Sequence, residues 1–143
     1  MAKNNLKIRL IKNKNDLDRV LRIRKIVFIK EQKVPEELEI DGLDKMAKHV
    51  IVLYKNKVIG CTRIRFIGKK AKLERISLLK HCRGKGFGKF LMEFLINYCK
   101  NNKAKTIVMN AQFYLKDYYS RFGFKPKGKS FMEAGIKHIE MYL

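Results

Sequence analysis

Seven residues, Arg83-Gly84-Lys85-Gly86-Phe87-Gly88-Lys89, carry the spacing best suited to chemistry. Before them, residues 71–79 read as a strand. From Phe87 onward, Phe90, Leu91, Phe94, Leu95 and Tyr98 follow at the i, i+3, i+4, i+7 spacing of one helical face. Strand, glycine turn and helix start make an anion site. The first amide groups of a helix lack intrahelical acceptors and point out of its end. The helix dipole favours a negative charge there by roughly 0.3–1 kcal/mol, which suits a phosphate. Arg83, Lys85 and Lys89 add positive charge at the same spot.

Counting excludes two common phosphate motifs. A dinucleotide fingerprint, G-x-G-x-x-G, would need glycine where Lys89 stands. A P-loop, G-x-x-x-x-G-K-[ST], would need glycine at Arg83 and Ser or Thr at Phe90. What remains is Arg-x-x-Gly-x-Gly, at Arg83, Gly86 and Gly88. It resembles the pyrophosphate loop of the GNAT family, the acetyl-CoA-dependent N-acetyltransferases. A second marker, Tyr119-Ser120-Arg121-Phe122-Gly123-Phe124, is similar to the family's Tyr-x-x-x-Gly-Phe pattern and follows one strand and one loop later. Three more stretches resemble the ElaA/YjcF-type branch: residues 27–35 with Glu39-x-Asp41, Asn110-Ala111-Gln112, and residues 135–141. The resemblance covers nearly the whole chain.

The resemblance implies acetyl-CoA as co-substrate, without a metal, and an amine acceptor, either a small molecule or a peptide. It implies pyrophosphate contacts from Arg83, Gly84, Lys85, Gly86, Phe87, Gly88 and Lys89, and pantetheine contacts from the backbone of Ile76, Ser77 and Leu78. Gln112 joins the cofactor-binding residues, and Gln32, Glu39 and His138 the substrate-binding ones. Tyr119 is the residue that approaches the CoA sulfur, as general acid. A homodimer is a further option that the family leaves open.

Acetylating an amine by direct attack sets two proton problems. An amine of pKa ~10.4 is neutral only about once in 2,500 molecules at pH 7, a cost of about 4.6 kcal/mol. A base or a desolvating site must offset it. Glu74 shares a strand face with Ile76 and Leu78 by period-two alternation, unless a bulge reverses it, and is the first catalytic candidate; an ion pair with a neighbouring cation is the competing account. His138 is another, as are Glu37, Glu39 and Asp41 of the acidic cluster Glu36-Glu37-Leu38-Glu39-Ile40-Asp41. That cluster favours a cationic acceptor. The second problem is the leaving thiolate. A phenol near ~10 giving its proton to a thiolate whose acid is near ~8.5 runs uphill by about 2 kcal/mol. The protein's positive field is expected to lower the phenol of Tyr119 and ease the step.

The elements that must hold these groups follow from periodicity. Strands are expected at residues 5–11, 48–55, 58–67, 71–79, 104–111, 124–131 and 136–142. Helices are expected from an Asn15-Asp16 cap to Gln32, after Pro35, from residue 87 to a cap at Asn101-Asn102, and at residues 115–121. The strand at 104–111 reads as buried on both faces. Strands first in a meander, then alternating with helices, imply an α/β fold in layers, with a mixed sheet of six or seven strands flanked by about four helices. That agrees with the GNAT fold.

Length and composition bound the rest. One domain fits 143 residues. Apolar runs are too short for a bilayer, no signal peptide is readable, and a cytoplasmic protein is expected. Cys61, Cys82 and Cys99 are an odd count without metal-ligand spacing; inert thiols are expected. The net charge of +21 would suit nucleic acid. However, the basic residues are spread along the chain and no stacking aromatics interleave a basic face. The alternatives are a non-catalytic CoA-binding module or a basic nucleic-acid-binding module on the same fold.

Overall fold

The computed structural model describes residues 3–143. Seven strands are present: β1 (Leu6–Leu10), β2 (Lys48–Tyr54), β3 (Lys57–Ile67), β4 (Lys70–Leu78), β5 (Thr106–Gln112), β6 (Lys125–Glu133) and β7 (Ile136–Tyr142). Four α-helices accompany them: α1 (Lys14–Arg24), α2 (Glu36–Glu39), α3 (Phe87–Asn101) and α4 (Lys116–Ser120). The strands form one sheet in the order β1-β2-β3-β4-β5-β7-β6. Neighbours are antiparallel except β4 and β5, which α3 joins as a parallel pair. This is the expected mixed sheet.

The sheet is covered on both faces near its middle. Leu91, Met92 and Leu95 of α3 pack with Val50, Val52, Ile64, Leu73, Ile107 and Met109 on one face. Val20, Ile23 and Val27 pack with Ile51, Leu53 and Cys61 on the other. The run Val50–Leu53 is apolar throughout because β2 is buried on both sides.

Two expectations are corrected. β5 alternates instead: Ile107, Met109 and Ala111 are buried, while Val108, Asn110 and Gln112 are half-buried. Its second face is left open. The N-cap of α1 is Asn13, whose side chain accepts from the Asp16 amide at 2.9 Å; Asp16 lies inside the first turn. A π-helical stretch, Lys25–Glu31, carries the chain on toward Gln32.

β4 is the strand that shapes the site. Cys61 pairs with Ser77, and then Arg63 with Glu74. Two residues of β4, Arg75 and Ile76, thus oppose Thr62 alone, which makes a β-bulge. Arg75 sits at φ 56, a left-handed conformation that costs a non-glycine residue of order 1–3 kcal/mol. Pairing with β5 ends at Leu73–Met109. Beyond it the two parallel strands part. No helix among the described residues is long and apolar enough to cross a membrane.

Candidate active site

The gap between β4 and β5 opens into a cleft of about 1160 Å³. Ile76, Ser77 and Leu78 form one wall, and Ala111 and Gln112 the other. Ser77 and Leu78 pair with β3 on one side only. Their backbone groups on the β5 side are left for a ligand, because the bulge and the splay remove the strand that would have used them. The side chain of Gln112 donates to Gln32 across the cleft at 2.9 Å.

The glycine loop closes one end. Gly86 is the N-cap of α3 at φ 87, and no side chain caps the helix. The first-turn amides of α3 therefore face the cleft without intrahelical acceptors. A β-carbon on Gly88 would run into the hydroxyl of Tyr118, so a larger residue there requires that tyrosine to shift. Arg83 lines the cleft and is paired within the fold. Its Nε donates to the Leu78 carbonyl at 2.9 Å, and its two Nη groups hold Glu31 at 2.6 and 2.9 Å. It ties the loop to the end of β4 and to the π-helical stretch.

Tyr119 and Tyr118 bring α4 to the cleft. Tyr119 is buried, edge-on to Tyr118 at 5.4 Å and to Phe124 at 6.4 Å. Burial pushes its phenol well up from the ordinary value, with Tyr118 and Tyr114 adding to the effect. The expected lowering by the protein's positive charge is thus corrected: desolvation dominates at this ring. A thiolate desolvated beside this ring would have its conjugate acid raised in the same direction.

The carboxylates do not stand free. Glu74 takes Arg63 Nε at 3.1 Å and Arg65 Nε and Nη2 at 2.6 and 3.1 Å, with Lys72 Nζ at 3.8 Å. Burial pushes its carboxyl up, but Arg65, Arg63 and Lys72 outweigh that and hold it below the ordinary range. A carboxylate so held is a weak base, and the bulge ends the alternation that would have aligned it with Ile76. Glu39 is buried and gives both oxygens to Arg24 at 2.8 Å, with Arg75 at 2.9 Å on one of them. Arg63 holds Asp41 at 2.7 and 2.8 Å and keeps its carboxyl far below the usual range. Arginines neutralise the Glu39 and Asp41 members of the acidic cluster, while Glu36 and Glu37 lie exposed on α2.

His138 stands on the opposite wall. Its Nδ1 lies 2.7 Å from the Ile136 carbonyl, which can only accept, so Nδ1 carries a proton. Nε2 lies 3.7 Å from Glu133, and the ring stacks on Phe131 at 6.0 Å.

The sequence matches the family description "Acetyltransferase (GNAT) domain" over residues 18–143. It is 35% identical to the Uncharacterized N-acetyltransferase YjcF of Bacillus subtilis over 137 residues, which cover 95% of this chain and 98% of that protein. The chain belongs to the GNAT acetyltransferase family. The crystal structure of Escherichia coli ElaA superposes with a TM-score of 0.86 at 24% identity, over 96% of this chain and 98% of that one. A GNAT acetyltransferase from Elizabethkingia anophelis, crystallised with acetyl-CoA bound, gives 0.73 at 19% identity, over 99% of both chains.

In GNAT terms, Arg83, Gly84, Gly86, Gly88 and Lys89 of the loop, the Ile76–Leu78 segment, Tyr119, Gln112, Gln32 and His138 line one cleft; Lys85 stands outside its lining, and Phe87 is buried in the core against Tyr54. Sequence reasoning missed Arg65, Lys72 and Arg75 on its wall. A signal for two of them existed. The turn at Gly68-Lys69 sets the β3–β4 register, which places Arg65 opposite Lys72 and Arg63 opposite Glu74. Among the described residues, no three metal-ligating side chains cluster.

Proposed function

We propose that this GNAT protein passes the acetyl group of acetyl-CoA directly to an amine, with Tyr119 as general acid. The observation that carries the reading is the uncapped start of α3 at Gly86, opening onto the gap between β4 and β5. First-turn amides of α3, with Lys85 and Lys89, hold the pyrophosphate. Backbone groups of Ile76–Leu78 receive the pantetheine arm, and an N–H there polarises the thioester carbonyl.

The remaining steps fall to side chains. His138 Nε2 takes the proton of the amine; an imidazole is a stronger base than a carboxylate, and Glu74 is weakened further by its cations. The amine nitrogen bonds to the carbonyl carbon and the C–S bond breaks. Tyr119 then gives its proton to the departing sulfur. Gln32 and Gln112 frame the point of attack. Glu39 acts through Arg75 and does not touch the acceptor. In this reading residues 1–143 work as one cytoplasmic domain.

The test is release of free thiol from acetyl-CoA during an acceptor screen. Cys61, Cys82 and Cys99 are all buried, and burial pushes Cys61 and Cys99 up to about 11, so the thiol reagent reads CoA and not the protein. Acceptor-dependent thiol release is the expected result. Tight acetyl-CoA binding with no release across a broad amine set would leave a CoA-binding module without transfer.

A further inference from the structure

On the wall of the cleft built from β3, β4 and the α2 loop, five cations surround four carboxylates. Glu39, Asp41, Asp44 and Glu74 are each ion-paired, and their partners are four arginines, Arg24, Arg63, Arg65 and Arg75, with Lys72. Arg24 and Arg63 are sealed among these carboxylates, with side chains 1% and 0% exposed. Arg65, Lys72 and Arg75 stand on the cleft wall, 22%, 28% and 21% exposed.

These three cations are incompletely used. Arg65 turns Nε and Nη2 onto Glu74. Arg75 turns the same two groups onto Glu39 and Asp41 and the backbone before them. Nη1 of each has no partner among the described residues. Lys72 lies directly opposite Arg65 across the two strands, an arrangement of like charges that destabilises a sheet. Glu74 is the one carboxylate paired with Arg65 and Lys72, and it also takes Arg63, which Asp41 and Asp44 hold as well. A second anion at this wall would relieve the repulsion and fill the spare donors.

We propose that the acetyl acceptor is an amine that also carries an anionic group, a carboxylate or a phosphate, held by Arg65, Lys72 and Arg75. The inference rests on the acetyltransferase reading and names the substrate class of that same cleft. The anion fixes one end of the acceptor, and the amine is left to face Ile76–Leu78 and His138. The spare Nη1 groups of Arg65 and Arg75 and the Lys72 ammonium each offer a charge-assisted donor to either anion. The bulge at Arg75 acquires a use here, because it turns that side chain onto the α2 loop at the mouth of the cleft.

Matched acceptors test this. Amino acids are compared with their α-amides, and O-phosphoethanolamine with ethanolamine, by thiol release from acetyl-CoA. The acid-bearing member of at least one pair is expected to be the better acceptor; the pair that shows it tells carboxylate from phosphate. Lys72→Gln should raise KM for that acceptor about three- to tenfold, while acetyl-CoA titrates as before. A preference for neutral or cationic members overturns the proposal. So does transfer to no acid-bearing amine by a protein that binds acetyl-CoA. An unchanged KM in a folded Lys72→Gln variant removes Lys72 from the anion site. A protein that fails to bind acetyl-CoA at all loses the acetyltransferase reading itself, a distinguishable result.

Discussion

The hydroxyl of Tyr118 occupies the space that a β-carbon on Gly88 would need. The first turn of α3 and the helix α4 are therefore fitted to each other at the mouth of the glycine loop. Gly88→Ala should force them apart at a cost of about 1–3 kcal/mol, seen as a lower melting temperature and weaker acetyl-CoA binding. Adding Tyr118→Phe removes the obstructing oxygen and should recover most of both. A single variant as stable and as tight as the parent would show that the fit is unimportant.

Tyr119→Phe keeps the ring and its edge contacts to Tyr118 and Phe124 and removes the proton. Turnover should fall by roughly 10²–10⁴, with little change in the KM for acetyl-CoA. Steady-state kinetics at saturating acceptor decide the matter. Unchanged kcat takes Tyr119 out of the mechanism.

Arg24 is sealed beside the cleft, held by Glu39 and Asp44 at 2.7–2.8 Å. Arg24→Ala leaves the buried Glu39 with Arg75 alone and the half-buried Asp44 with Arg63 alone, and losing one partner of a buried ion pair costs up to about 3–5 kcal/mol. Denaturant titration should show it. A loss under about 1 kcal/mol would mean that water or Arg75 replaces the guanidinium at little cost.

Asp16 supplies a pH signature. The Arg9 guanidinium and the Lys12 amide hold its carboxyl down at about 2. A lowered folded pKa stabilises the fold above the unfolded value near ~3.9 and loses that contribution as pH falls through the folded value. Melting temperature should therefore drop between about pH 4 and pH 2, and Asp16→Asn should flatten that drop. An equally steep acid limb in the variant would assign it to other carboxylates.

Local features of the site were readable, and distant ones were not. Gly86, Gly88 and Tyr119 stand in short segments whose spacing carries their meaning, and the structure brings them to one cleft. The bulge at Arg75 was hidden because it depends on how β4 registers against β3, a relation between strands. It decided the setting of Glu74, which period-two counting had aligned with Ile76. Arg83 met Glu31 from across the fold, which no local pattern announces. β5 looked buried on both faces because an apolar run says nothing about where its neighbour strand ends. Glu39 and Asp41 read as open to a cation in the sequence, and arginines from three other elements close on them in the fold.

The most direct test of the central claim is calorimetric titration with acetyl-CoA of the parent protein and of Gly86→Glu. A glutamate at φ 87 would strain the turn and set a carboxylate where a pyrophosphate should lie. One-to-one saturable binding by the parent, lost in a folded Gly86→Glu variant, is the predicted result. Equal affinity in the two proteins, or no binding by the parent, would contradict the account.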